Sequence, residues 1–115
     1  MKKKRARRID RETPREKVFK SWIHDQPCAA RHVRGHVCEG RIEQSHERSL
    51  AKGSGTGVKL NNFESWAFCW QAARDWDNNV GIFNRWPKAK RLAYSAARVV
   101  EANEMFEADY ATRAA

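Results

Sequence analysis

Residues 27–76 read PCAARHVRGHVCEGRIEQSHERSLAKGSGTGVKLNNFESWAFCWQAARDW, and the order of parts in this stretch decides the fold. Cys28 and Cys38 lie in a loop-like segment, residues 28–40, punctuated by Gly35 and Gly40. Residues 41–46 alternate enough to predict a short strand that delivers His46. A basic loop follows over residues 49–58. Its glycines at 53, 55 and 57 permit tight turns or close approach of backbone to a ligand. It is not a Walker loop, because no Gly-Lys-Ser/Thr stands at the required spacing. Phe63 to Phe68 is apolar and aromatic, which reads as a second strand or the approach to a helix. The helix itself is expected from about Cys69 to Asp77, with Asn78, Asn79 and Gly81 stopping it.

Working outward, the pattern predicts a helix on each flank. Thr13-Pro14-Arg15-Glu16 is a helix start: Thr13 can cap, Pro14 suits the first turn and Glu16 completes a capping box. Val18, Phe19, Trp22 and Ile23 then share one face of a helix over 14–25, which Pro27 ends. Pro87 opens a long last helix whose apolar stripe is expected to be Ala89, Leu92, Ala96, Val99, Phe106 and Tyr110. Its early half is basic (Lys88, Lys90, Arg91, Arg98) and its late half acidic (Glu101, Glu104, Glu107), an order that opposes the helix dipole at both ends. Packing must therefore hold it, against the first helix or a second subunit in a homodimer. The basic half is expected to face an anionic partner. The reading is an α+β chain in three parts: a basic flexible arm over 1–12, a small module over 13–86, and the last helix over 87–115.

Composition narrows the function classes. The chain has 115 residues, 41% of them hydrophobic, so one small core is expected and a metal staple would help it. The net charge of +9, from 23 Lys and Arg against 14 Asp and Glu, favours partners rich in phosphate. No apolar run is long enough to span a bilayer, and the basic start lacks the apolar segment of a secretory signal. The arm's Lys2, Lys3, Lys4 and Arg5 suit a non-specific clamp on nucleic-acid backbone as well as a solvated tail. Three cysteines is an odd number, which argues against a disulfide framework and for a reduced, cytoplasmic compartment.

Cys28, Cys38 and Cys69 are three of the four ligands a structural zinc site needs, and His36 or His32 stands near enough in sequence to be the fourth. The alternative is that the thiols are buried and act as small apolar residues. His46, between a strand and a flexible basic loop, is placed as a general base would be: an imidazole held in one orientation near a water. The tryptophans at 66, 70, 76 and 86 are expected in the core.

Cys28…Cys38, then Arg41-Ile42-Glu43-Gln44-Ser45-His46, then Gly57-Val58-Lys59, then Asn62…Cys69-Trp70 and a helix, resembles the HNH (ββα-metal, His-Me finger) nuclease domain. More narrowly, it is similar to a zinc-stapled branch associated with phages and prophages. The resemblance covers roughly residues 17–86 and rests on the order of short motifs. It implies a small ββα-metal finger acting on DNA in a phage or bacterial host cell. His46 would be the general base, and Asn62 the polar residue that positions the finger or the base. Cys28, Cys38, Cys69 and His36 would hold structural zinc, and Mg²⁺ or Mn²⁺ would serve cleavage. Arg48, Lys52, Lys59, Arg74 and Arg85 flank the implied site and are expected to meet DNA phosphates. Two positions depart from the family: Ala72 stands where a zinc-ligating Cys or His is common, and Ala73 where the last histidine ligates the catalytic cation. Ser45 also replaces an acidic or histidine ligand. The implied activity is thus an HNH endonuclease impaired at Ala73. A catalytically silent zinc-stabilised nucleic-acid-binding protein, or a small basic interaction protein reusing the fold, is the alternative.

Overall fold

The computed structural model describes residues 12–47 and 62–114. The arm residues Lys2, Lys3, Lys4 and Arg5, the loop residues Arg48, Lys52 and Lys59, and the glycines at 53, 55 and 57 lie outside the described residues. The described elements are α1 (Pro14–Ile23), β1 (Ile42–Ser45), β2 (Trp66–Cys69), α2 (Trp70–Asn78) and α3 (Lys88–Ala114), with short 3₁₀ turns at Ala29–His32 and Gly81–Phe83. The fold is α+β, with one two-stranded antiparallel sheet and a long C-terminal helix.

α1 starts as its sequence dictates. Glu16 N–H donates to Thr13 Oγ1 at 3.1 Å, and Thr13 N–H donates to Glu16 Oε1 at 2.8 Å. The helix ends two residues earlier than the pattern suggests, because the His24 N–H turns back to the Trp22 carbonyl. Phe19, Trp22 and Ile23 are buried, whereas Val18 is on the exposed side. Residue 18 neighbours 19 on the helix but points about 100° away from it.

β1 and β2 pair in the register Ile42↔Cys69, Glu43↔Phe68, Gln44↔Ala67 and Ser45↔Trp66. β2 is buried on both faces, packed between α2, α3 and the first 3₁₀ turn, which is why its sequence is continuously apolar rather than alternating. β1 is an edge strand, and its Ile42, Glu43 and Gln44 are all half-buried, so the alternation read there does not become an inside and an outside. α2 follows β2 directly, completing a ββα-like unit.

α3 packs within the chain. One aromatic cluster joins it to α1: Phe19, Trp22, Phe63 and Phe106, with centroids 5.0–6.3 Å apart. A second joins it to the ββα unit: Trp66, Phe68, Trp76, Phe83, Trp86 and Tyr94, at 5.0–6.5 Å. Truncating one such buried ring typically costs about 3–5 kcal/mol, so these clusters carry most of the fold. Trp22 Nε1–H donates to Asp109 at 2.7 Å, and Arg15 bonds Glu107.

The stripe of α3 differs from the expected one. Ser95, Ala102 and Phe106 are buried and Tyr94, Val99 and Tyr110 half-buried, while Ala89, Ala96 and Val100 are exposed. Alanine contributes so little area that the larger Tyr94 sets the rotation of the helix. Lys90, Arg91 and Arg98 each lie over an aromatic ring, those of Trp86, Trp76 and Tyr94, at 4.2, 3.8 and 4.9 Å. Among the described residues no helix is long and apolar enough to cross a membrane.

Candidate metal centre and the adjoining cleft

Cys28, His36, Cys38 and Cys69 converge although they span three segments of the chain. Their ligand atoms all lie within 4.8 Å of one another. His36 Nε2 is 3.8 Å from Cys28 Sγ, 3.2 Å from Cys38 Sγ and 3.5 Å from Cys69 Sγ. A tetrahedral metal with two-ångström-class bonds to thiolate and imidazole has ligand–ligand edges of about 3.5–3.8 Å, so this group can hold a metal such as zinc. His32, the other candidate, is exposed at the end of the 3₁₀ turn and is not in the group.

Local backbone chemistry sets each ligand. Cys28 precedes the 3₁₀ turn and its Sγ accepts the Ala30 N–H at 3.3 Å. Cys69 caps α2, and its Sγ accepts the Ala72 N–H at 3.4 Å. Both sulfurs thus sit where helical N–H groups favour a thiolate. Between them the chain must reverse tightly. His36 N–H bonds the Val33 carbonyl at 3.1 Å, closing a turn whose third residue, Gly35, has φ +87°. Gly40, at φ +82°, lets the loop press on α2: a Cβ there would lie 2.4 Å from Trp70 Cβ.

Burial pushes the Cys28 thiol up to about 12 and Cys38 upward as well. Cys69 feels the same burial penalty, but N–H groups of Ala72 and Glu39 and the neighbouring thiols draw it below its usual value. Without a cation, three thiolates so close would repel one another. A metal seated here displaces the thiol protons.

On the other side of α2 lies a cleft of about 460 Å³, lined by Glu43, Gln44, Ser45, His46, Glu47, Ala73, Trp76, Asp77 and Arg91. His46, at the end of β1, therefore shares a cleft with Ala73. Asn62 does not line it. Its amide donates to Glu12 Oε2 at 2.8 Å, and its carbonyl accepts from Gln44 Nε2 at 3.3 Å, tying the approach to β2 onto β1 and the start of α1. Arg74 and Arg85 are exposed, Arg74 on α2 and Arg85 in the left-handed region at φ 67° just before α3.

Arg91, read from the sequence only as part of the basic half of α3, and Glu47, which the sequence did not single out, both line the cleft. Arg91 Nη2 donates to Glu47 Oε1 at 3.0 Å, and Nη1 donates to the Trp76 carbonyl and to Asn79 Oδ1 at 3.0 and 2.7 Å. The two partners are 44 positions apart, and no local pattern links them. Among the described residues no second group of His, Cys, Asp or Glu gathers its donors as the metal centre does. Among the described residues that line the cleft, Arg91 is the permanent cation.

These features define an α+β protein with a Cys₃His centre beside a mixed-charge cleft. No protein-family model, curated protein or solved structure matches the chain.

Proposed function

We propose that this chain is a zinc-stapled DNA-binding module of HNH type whose cleavage chemistry is impaired at Ala73. The observation that carries this reading is the pairing of a Cys₃His centre on one side of the ββα unit with a cleft shared by His46 and Ala73 on the other. Three thiolates and an imidazole in tetrahedral reach are a donor set that suits Zn²⁺ as a structural ion. The charge of +9 supplies the attraction to phosphate, with Arg74 and Arg85 exposed to make such contacts. The arm and loop cations named above would add others.

His46 is suited to take a proton from a water in the cleft, the role of a general base. Ala73 contributes only a methyl group where a ligand would have to stand. The Arg91–Glu47 pair further engages one of the nearby carboxylates, which favours the silent form of the reading over an active nuclease.

The test is plasmid nicking with Mg²⁺ or Mn²⁺ beside DNA binding at low salt. The wild-type chain is expected to bind DNA, with affinity falling steeply as salt rises, and not to nick it. Ala73→His projects an imidazole into the cleft beside His46 and should bring nicking, which His46→Ala in the same background abolishes. Nicking by the wild-type chain would overturn the impairment. Absence of DNA binding at low salt would overturn the reading itself.

A further inference from the structure

Trp70 is the one described tryptophan that does not join the core. Trp66 and Trp76 are at most 1% exposed, whereas Trp70 is 41% exposed at the first position of α2. Its ring is nonetheless held in place. Gly40 presses against its base, leaving no room there even for a Cβ. Arg74, one helical turn on, holds its guanidinium 4.7 Å from the ring centroid. Among the described residues Arg74 makes no ion pair, so its charge is not neutralised by the fold. Arg41, next to Gly40, is exposed as well.

An indole left in water costs hydrophobic free energy, and fixing it in one orientation costs entropy besides. The result is a positioned indole with a cation over one of its faces and its remaining surface open to solvent. That combination suits a nucleotide, whose base stacks on the ring while its phosphate meets the guanidinium. Bases inside a duplex already have both faces covered by their neighbours, so only an unpaired base can use the surface.

We infer that Trp70 and Arg74 form a stacking platform for an unpaired base of single-stranded DNA, with Arg74 and Arg41 meeting the adjoining phosphates. This rests on the DNA-binding reading above and adds to it a preference for single strands.

The experiment is fluorescence anisotropy with labelled oligo(dT) and a labelled duplex of equal length, using the zinc-loaded full chain. Trp70→Leu keeps apolar bulk over Gly40 but removes the π face, and should weaken oligo(dT) binding by about tenfold while leaving duplex binding unchanged. Trp70→Phe retains a ring and should keep most of the affinity. Arg74→Met should weaken both ligands and reduce the salt dependence by about one phosphate contact. Circular dichroism and zinc content establish that each variant is folded. If folded Trp70→Leu binds oligo(dT) as the wild type does, the platform is refuted and the DNA-binding reading survives. If the wild-type chain binds neither ligand, both fall together.

Discussion

The two ends of α2 solve the same electrostatic problem in opposite ways. At its N-terminus, Cys69 caps the helix and gathers with Cys28, His36 and Cys38 into an electron-rich group with no protein cation among its four members. At its C-terminus, the Trp76 carbonyl accepts from the Arg91 guanidinium, which also holds Glu47 and Asn79. Both arrangements agree with the helix dipole, thiolates at the positive end and a cation at the negative one. They differ in where the positive charge comes from. Any ion at the Cys₃His end would come from solution, whereas the cleft end has a covalently attached cation. One end is therefore able to hold a metal, and the other is largely self-satisfied.

Breaking the metal end should have the largest effect. Cys69→Ser removes a ligand and the cap of α2 together. It is expected to abolish zinc retention in native mass spectrometry and to cost several kcal/mol, enough to unfold much of the ββα unit at ordinary temperature. Zinc retention with an unchanged melting curve would show that the centre does not hold the fold. At the cleft end, Arg91→Met removes the guanidinium from Glu47, the Trp76 carbonyl and Asn79 together and should cost about 1.5–3 kcal/mol in urea unfolding. Adding Glu47→Gln should recover part of that loss. A full loss in both variants would mean that Arg91 acts through Trp76 and Asn79 rather than through the ion pair. The smallest effect belongs to Asn79, the left-handed cap of α2 at φ 56°. Asn79→Ala should cost about 1–2 kcal/mol, since alanine strains that conformation and offers Arg91 no oxygen. Asn79→Gly relieves the strain but not the missing acceptor, so its melting temperature should fall between the two; equality with alanine would assign the whole effect to the hydrogen bond.

The parts of the fold that could be read from the chain were those with local causes. The capping box at Thr13–Glu16 is written in four consecutive residues, and it forms as written. β1 falls inside the alternating run 41–46, and β2 overlaps only the end of the apolar stretch 63–68, which could also have led into a helix; the helix after Cys69 begins one residue later because Cys69 itself is the cap. The four candidate ligands were legible as residue types and rough spacing, and the Val33–His36 turn is what carries His36 rather than His32 to the cysteines. Trp70 was assigned to the core by its type. It stays outside because the first position of α2 faces away from β2 and the second aromatic cluster fills the interior without it. The expected α3 stripe holds at Leu92, Val99, Phe106 and Tyr110 and fails at Ala89 and Ala96, which are exposed: several positions qualify by period, and the volume of Tyr94 and Phe106 against their neighbours chooses among them.

By itself, then, the sequence determined where helices and strands begin, which residues are able to ligate a metal, and that the chain carries a strong positive charge. These follow from backbone capping, side-chain chemistry and composition, all of which act over a few residues or none. The tertiary structure decided which donors meet. It brought Cys28 to Cys69 and Arg91 to Glu47, set His46 and Ala73 on one cleft, and left Trp70 in water. Each of those outcomes depends on packing between segments tens of residues apart, where shape and volume rather than local pattern select the partner.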